Sequence, residues 1–206
     1  MEKQNKQSEP SFYVNFEKVY ARNIDSNISL LNFLRHNCKF TGTKEGCSEG
    51  DCGACSVLIF DEKGSLAPVN SCILKVGQII YKNIVTIEGA SKLSSAKPLI
   101  EALNSKAASQ CGFCTPGFVM AALALKEKHK SPSESIIHDS LSGNLCRCTG
   151  YRPIVNGIQS LKEKIRLPMP INSKGPKLKT AIFGKTTYIY PDCLLYTSPS
   201  PRDTEV

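Results

Sequence analysis

The pattern of apolar and polar positions changes near residue 95. Before that point the apolar residues fall in short runs, several of them rich in β-branched side chains, which is typical of strands. These runs occupy residues 11–16, 18–24, 56–60, 73–76 and 84–87. Ser29 is a candidate N-cap for a short helix from Leu30 to about His36, whose apolar residues would cover a sheet. One helix among four or five strands predicts a small α+β fold.

After residue 95 the apolar residues recur every three or four positions, which predicts helices. The predicted helices cover residues 97–105, 115–129, 131–143 and 153–166. The second has Thr115 as its cap and Pro116 in its first helical position. The third opens on a capping box that starts at Ser131. Because the connections are short, we expect the four helices to form a bundle.

Composition suggests where the chain divides. The predicted segments are a disordered tail at 1–10, a sheet domain at 11–92, a helical domain at 93–166, a linker rich in Pro, Gly and Lys at 167–185, the first strand of a truncated domain at 186–192, and a terminal stretch at 193–206. The terminal stretch resembles an in-frame translation of a transposase sequencing adapter, so it is excluded from the fold prediction. The alternative is a natural disordered tail.

Composition and charge narrow the possible functions. The formal net charge is +8, but the basic residues are scattered and few aromatic residues lie among them, so we do not expect nucleic-acid binding. The polar N-terminus has no signal-peptide core, and no apolar run is long enough to span a bilayer. We therefore expect a soluble, cytoplasmic protein. In that compartment ten cysteines indicate metal or redox chemistry and not disulfides.

Four cysteines form what we call the loop group. They are Cys47, Cys52 and Cys55, in a glycine-rich loop, and the more distant Cys72. The spacing Cys-x4-Cys-x2-Cys with a distant fourth cysteine is the plant-type ferredoxin pattern, which binds a [2Fe–2S] cluster. Glycines at 46, 50 and 53 would allow positive φ angles, so that backbone N–H groups turn towards the sulfurs. Four thiolates also suit Zn²⁺, although zinc ligands are usually paired in two Cys-x2–4-Cys knuckles.

Four more cysteines form the helical group. They are Cys111 and Cys114, before the second predicted helix, and Cys146 and Cys148, before the fourth. If these two helices run parallel, all four sulfurs meet at one end of the bundle, where the helix N-termini favour negative charge. Zinc is again an alternative, but Cys-x-Cys is tighter than a zinc knuckle normally allows. The spacing favours an iron–sulfur site without excluding zinc.

The two groups together resemble the iron–sulfur part of the molybdenum hydroxylases, the xanthine dehydrogenase and aldehyde oxidase family. The resemblance rests on the cysteines and on the stretches QCGFCTPGF (110–118) and GNLCRCTGYRPI (143–154), and it covers about residues 11–166. It implies a β-grasp ferredoxin domain of the plant type, followed by a four-helix-bundle [2Fe–2S] domain. Residues 68–72 and the extension past the linker are most similar to the small subunit of bacterial xanthine dehydrogenases, in which an FAD domain follows. Residues 188–191 resemble the start of that domain.

The resemblance also implies a function. In the family a molybdenum–pterin subunit hydroxylates a carbon beside a ring nitrogen or in an aldehyde, and its electrons pass singly through two [2Fe–2S] clusters to FAD and on to NAD⁺. Gln110 matches the family glutamine that hydrogen-bonds the pterin, which implies that the helical group lies nearer molybdenum. The implied partners are the molybdopterin-binding large subunit and an FAD domain or subunit. The expected substrate is xanthine or hypoxanthine, the alternative being an aldehyde or another N-heterocycle.

Two functions of other classes compete with this interpretation. One is a zinc-stabilised interaction module without a redox role, and the other is a free-standing two-cluster ferredoxin with several partners. Arg147, between two of the cysteines, would either raise the reduction potential of its cluster or form a surface ion pair. Phe113 is expected in the core, and Cys38 and Cys193 belong to neither group.

Overall fold

The structure is a computed structural model, which describes residues 9–60, 64 and 66–168, together with the backbone of two short strands further on. The predicted tail up to residue 8, most of the predicted linker and everything after residue 188 lie outside the described residues. Among the residues that are described, none of the helices has both the length and the apolar character needed to cross a membrane.

Five strands form one mixed sheet. They are β1 (Ser11–Val14), β2 (Glu17–Tyr20), β3 (Ser56–Phe60), β4 (Leu66–Asn70) and β5 (Asn83–Val85). The strand order is β2-β1-β5-β3-β4. The hairpin β1–β2 is antiparallel, β5 runs parallel to β1, and β3 pairs antiparallel with both β5 and β4. With the helices described below, the fold is α+β, as the hydrophobic pattern predicts.

One face of the sheet is covered by the first helical segment. Helix α1 (Leu30–Asn32) is capped by the Ser29 side chain, which accepts the N–H of Asn32, and it continues as a π-helical turn over Phe33–Asn37. The side chains of this segment bury against β1, β3 and β5, with Phe33 edge-on to Phe12. The predicted helix and its cap are therefore confirmed.

Five further helices complete the fold. They are α2 (Ile87–Lys92), α3 (Lys97–Ser105), α4 (Thr115–Lys128), α5 (Glu134–Leu141) and α6 (Arg152–Ser160). Ten consecutive residues of α4, from Gly117 to Lys126, are buried. One side of α4 meets the sheet, where Leu58, Phe60 and Leu66 share a core with the helices. Sheet and helices therefore lie in one compact unit, residues 1–173.

One predicted strand is absent, and the strands predicted at 18–24 and 84–87 end early, at Tyr20 and Val85. Residues 73–76 do not form a strand, because the chain turns at Ser71–Cys72 to bring Cys72 back towards the loop, and a 3-10 turn follows at Val76–Ile79. The strand beside β3 is instead β4, at the edge of the sheet. β4 contains Pro68, which lacks an N–H and is tolerated on an edge strand. The strand predicted to end at residue 87 ends at Val85, because Ile87 already starts α2.

The four helices predicted after residue 95 are present as α3 to α6 but differ at several ends, and α2 was not predicted. Thr115 is the first residue of α4 and Cys114 is its N-cap, while the cap of α5 is Ser133 and not Ser131. The fourth predicted helix ends at Ser160, although its apolar period continues to Ile165. Ile165 is nevertheless buried, because it packs in the core shared with the helices, and its N–H donates to the carbonyl of Lys126 at 3.1 Å.

Residues 174–206 form a separate unit, of which two strands are described. Strand β6 (Ala181–Phe183) pairs antiparallel with β7 (Thr186–Tyr188). Strand β7 falls in the predicted strand at 186–192, and β6 falls in the predicted linker.

Two candidate metal centres

The loop group lies where the loop before β3 meets the turn after β4. The Cys47 and Cys52 side chains contact each other, as do those of Cys55 and Cys72. Cys55 is buried at the start of β3, and Ser71, next to Cys72, donates its hydroxyl proton to the Cys55 carbonyl at 2.7 Å. The structure thus brings the distant fourth cysteine to the loop through the β3–β4 hairpin.

Backbone N–H groups of the loop turn towards the sulfurs. The amides of Asp51 and Cys52 donate to the Cys47 sulfur at 3.3 and 3.4 Å, and the Cys47 amide donates to the Cys52 sulfur at 3.4 Å. The hydrogen bonds from backbone amides, first that of Glu49, lower the pKa of Cys47 to about 7. A thiolate at this position is therefore stabilised by the loop itself, as metal binding requires.

The glycines of the loop serve two different needs. Gly50 and Gly53 have positive φ, +84° and +68°, as the sequence predicts. Gly46 does not, so that part of the prediction was wrong. Gly46 is needed for space instead, because a Cβ there would lie 2.8 Å from the Cys52 sulfur.

The helical group lies where α4 and α6 begin. The sulfurs of Cys111 and Cys148 are 3.6 Å apart, and the side chains of Cys114 and Cys146 contact each other. Cys114 is the N-cap of α4, and Cys146 and Cys148 precede α6. The two sequence-distant pairs are therefore neighbours at one end of the helices.

The helical sulfurs differ in their surroundings. Burial raises the pKa of Cys114 to about 12, and the neighbouring Cys146 adds to the rise. Burial opposes ionisation of Cys146 too, but hydrogen bonds from the Thr149 hydroxyl and nearby amides outweigh it and lower the pKa of Cys146 to about 7. The contact with Cys111 raises the pKa of Cys148. Thiols held this close resist ionising together, and a cation between them removes that conflict.

The donor sets fit two-metal clusters. The sulfurs contact each other in pairs. Two thiolates bound to one tetrahedral metal at about 2.3 Å lie about 3.8 Å apart, close to the 3.6 Å between Cys111 and Cys148. Each group holds two contacting pairs of sulfurs, and a [2Fe–2S] cluster takes four cysteine ligands, two on each iron.

The two groups are joined by direct backbone contact. The Leu145 amide donates to the Cys52 carbonyl at 2.9 Å. Cys52 belongs to the loop group, and Leu145 directly precedes Cys146 of the helical group. Beside this bond, the buried side-chain amide of Asn144 donates to the Gly53 carbonyl at 3.1 Å. Gly117 of α4 packs against the same carbonyl so closely that a Cβ would overlap it. We call these contacts the seam.

Other residues singled out from the sequence lie at the surface. Gln110 and Arg147 are exposed, and no ion pair of Arg147 is found within the described part of the chain. The prediction that Phe113 lies in the core was wrong: it is 47% exposed, with its ring over Gly46. Cys38 is half-buried, and burial raises its pKa to about 11.

Sequence reasoning missed three residues that hold the site together. These are Asn144 at the seam, and Thr149 and Tyr151, which hydrogen-bond to Cys146. All three lie in the stretch 143–154, which was noted for its cysteines. Their polar side chains gave no periodic or spacing signal of their own.

Several proteins of known identity are similar to this chain in sequence. Residues 86–159 match the family model described as a [2Fe-2S] binding domain. Aldehyde oxidase 1 of Rattus norvegicus is 42% identical over 155 residues, covering 72% of this chain and 12% of that protein. Xanthine dehydrogenase of Emericella nidulans is 41% identical over 159 residues, covering 75% of this chain and 12% of that protein.

Solved structures resemble the chain as well, among them the following two. A chain of quinoline 2-oxidoreductase from Pseudomonas putida 86 is 34% identical with a TM-score of 0.62, and the match covers 73% of this chain and 89% of that one. The chain belongs to the molybdenum hydroxylase family. Aldehyde oxidoreductase from Desulfovibrio desulfuricans is 33% identical with a TM-score of 0.66, covering 74% of this chain and 17% of that one. The chain is the iron–sulfur part of a molybdenum hydroxylase, and spans about 12% of the length of the curated relatives named above.

Proposed function

We propose that this chain carries electrons within a molybdenum hydroxylase. The loop and helical groups each hold a [2Fe–2S] cluster, and such clusters pass electrons one at a time, here from a molybdopterin centre to FAD. All eight cysteines serve as ligands: Cys47, Cys52, Cys55 and Cys72 for one cluster, and Cys111, Cys114, Cys146 and Cys148 for the other.

The observation that carries this proposal is the seam between the two groups. The hydrogen bond from Leu145 N–H to the Cys52 carbonyl joins the two ligand loops directly. A structural zinc module would not need its two sites in backbone contact, whereas electron exchange between two centres requires that they be near each other. The buried Asn144 amide and the close packing of Gly117 keep the two loops at a fixed spacing.

The finer fold assignment belongs to the same proposal. Residues 11–92, with the sheet and α1, would be a β-grasp ferredoxin domain, and residues 93–166, with α3 to α6, a helical [2Fe–2S] domain. The parallel pair β1–β5 and the helix packed on the sheet support the first assignment. The four cysteines before α4 and α6 support the second.

The partners and substrate are proposed from the family. Gln110 is exposed beside the helical group, and we assign it to contact the pterin of a molybdopterin-binding large subunit. An FAD domain or subunit would accept the electrons. For the substrate we propose xanthine or hypoxanthine. Relatives named for aldehydes and for quinoline make an aldehyde or another N-heterocycle the alternative.

The first experiment measures metal and acid-labile sulfide. The chain is expressed with iron and purified without oxygen, and we expect about four irons and four sulfides per chain, with a red-brown colour that bleaches on adding dithionite. Bound zinc in a colourless protein would contradict the proposal and favour a zinc module. Cys38→Ser is the control, since Cys38 lies outside both groups and its loss should leave the iron content unchanged.

A second measurement separates a dedicated subunit from a free-standing ferredoxin. The tagged chain is used to capture partners from its own cells, and a large molybdenum-containing subunit is expected. The captured complex is then assayed with xanthine, an aldehyde and quinoline. Oxidation of an aldehyde or of quinoline, but not of xanthine, would correct the substrate and leave the electron-transfer proposal in place.

A further inference from the structure

Thr149 places a hydroxyl group directly on a ligand sulfur of the helical group. Its Oγ1 lies 3.1 Å from the Cys146 sulfur, and its backbone N–H points to the same sulfur at 3.5 Å. Thr149 immediately follows Cys148 and is half-buried, so solvent does not freely compete for this hydroxyl.

The direction of the hydroxyl proton follows from the groups around it. The backbone N–H of Tyr151 donates to Thr149 Oγ1 at 3.2 Å, and an amide can only donate. A metal-bound cysteine is a thiolate and can only accept. When Cys146 binds a metal, the hydroxyl proton of Thr149 therefore points at the Cys146 sulfur, in an O–H···S hydrogen bond.

Tyr151 holds the turn in the shape that makes this possible. Its backbone has φ +66° and ψ −33°, a conformation that side chains disfavour and that the surroundings must enforce. Its hydroxyl accepts the Cys146 N–H at 3.0 Å, and its ring packs edge-on against Phe118 of α4. The turn is thus anchored to the core at one end and to Cys146 at the other.

The loop group is built differently. The hydrogen bonds that reach the sulfurs of Cys47 and Cys52 come from backbone amides. The hydroxyl groups nearby point elsewhere: Ser48 donates to the Glu45 carboxylate, and Ser56 to the Gly53 carbonyl. In the part of the chain that the structure describes, a hydroxyl–sulfur hydrogen bond is found at the helical group alone.

We propose that Thr149 is a positioning and tuning residue, whose hydroxyl raises the reduction potential of the helical cluster by donating a hydrogen bond to Cys146. This inference rests on the proposed function. Reduction adds negative charge to the cluster and its thiolates, and a hydrogen-bond donor stabilises that charge. Hydrogen bonds to the sulfurs are among the features that set iron–sulfur potentials.

The test compares Thr149→Val with Thr149→Ser in the full chain. Valine keeps the shape and removes the hydroxyl, whereas serine keeps the hydroxyl. Reduction of both clusters is followed by electron paramagnetic resonance at controlled potentials. We expect T149V to lower the midpoint of the helical cluster alone by about 59 mV, a tenfold change in the reduced-to-oxidised ratio. T149S should leave it in place. Ser142→Ala, which removes a hydroxyl that donates to the Asp139 carbonyl, is the matched control and should also leave it in place.

Three outcomes would overturn the inference. These are an unchanged midpoint in T149V, an equal shift in T149S, or an equal shift of both clusters. If T149V binds less iron, Thr149→Ala, which adds no methyl group against the sulfur, is titrated in its place. A wild-type chain that gives no signal from the helical group would instead refute the proposed function, so the two failures are distinguishable.

Discussion

The sulfurs of the helical group differ in how far the protein covers them. Cys111 and Cys148 are exposed, whereas Cys114 and Cys146 pack against the core formed by α4 and α6. The outer pair therefore contributes little to packing, and its substitution should act on metal binding. The inner pair does both, because its side chains also fill space beside Phe118 and Tyr151.

We predict that Cys148→Ser removes the signal of the helical cluster and leaves that of the loop cluster. A serine oxygen is a poorer ligand for iron than a thiolate, and Cys148 is an exposed member of the helical group that takes no part in the seam contacts described above. The measurement is the iron content together with the paramagnetic resonance spectrum of the reduced protein, with Cys38→Ser as the matched cysteine control. Loss of both signals together would mean that the two groups do not load independently.

At the residue scale, the sequence groups the cysteines better than it predicts what surrounds them. Spacing alone assigns them to two groups, and in the structure the members of each group are neighbours. Asn144 and Thr149 could not be assigned roles in this way, since each acts on a residue that only the folded chain brings near. Phe113 was wrongly predicted in the core, because an apolar side chain suggests burial and the sequence does not show that its loop lies at the surface.

Helix α4 is the element on which both ligand loops depend. Its first turn carries Cys114 as cap, and Gly117 in that turn meets the Gly53 carbonyl of the other loop. Glycine in a helix costs about 1 kcal/mol relative to alanine, so its presence at position 117 has a reason in packing. The reason is the seam, where backbone must approach backbone.

Gly117→Ala is therefore expected to destabilise the chain, although alanine is the better helix former. The added Cβ would overlap the Gly53 carbonyl oxygen and lie 3.1 Å from the Asn144 amide nitrogen. Overpacking of this kind costs about 1–3 kcal/mol of unfolding free energy. Chemical denaturation followed by circular dichroism measures the loss, and the magnetic interaction between the reduced clusters should weaken as the loops separate.

Gly143→Ala is the matched control for this substitution. A Cβ at Gly143 would meet no atom within 4 Å, so the variant should unfold as the wild type does. An unchanged stability of Gly117→Ala, or an equal loss in both variants, would show that the seam is not tightly packed.

At the element scale, periodicity predicted α3 to α6, but it missed α2 and the residue at which α6 ends. The apolar period from Ile154 to Ile165 runs on past Ser160, the last residue of α6. The chain leaves the helix there because Lys126 offers it other contacts: its side chain donates to the Leu161 carbonyl, and its carbonyl accepts the Ile165 N–H. A local pattern cannot reveal a partner 35 residues away.

For the molecule as a whole, the sheet is shared by two apolar cores. Leu30 and Phe33 cover one face together with Phe12 and Ile84. Leu58 and Phe60 contribute to the other core, which continues through α3, α4 and α6. Because neither the sheet nor the helices bury their apolar surface alone, we expect the unit to unfold in a single transition.

Lys126 is a buried ionisable residue that becomes exposed to solvent when this unit unfolds. Its side chain is fully buried, and its ammonium group donates to the carbonyls of Lys130 and Leu161. Burial, and then the nearby charge of Lys162, lower the pKa of Lys126 below its usual 10.5. Between the lowered pKa and 10.5 the unfolded chain binds more protons than the folded chain, so stability due to this group rises with pH in that window.

This gives a prediction about the stability of the whole unit. We expect the unfolding free energy of the wild type, minus that of Lys126→Met, to increase as pH rises towards 10.5, at no more than about 1.4 kcal/mol per pH unit. Urea denaturation at several pH values measures it. Lys128→Met, on the exposed side of α4, is the control and should show no such increase. A pH-independent difference for Lys126→Met would mean that the two carbonyl hydrogen bonds hold the ammonium charged despite its burial.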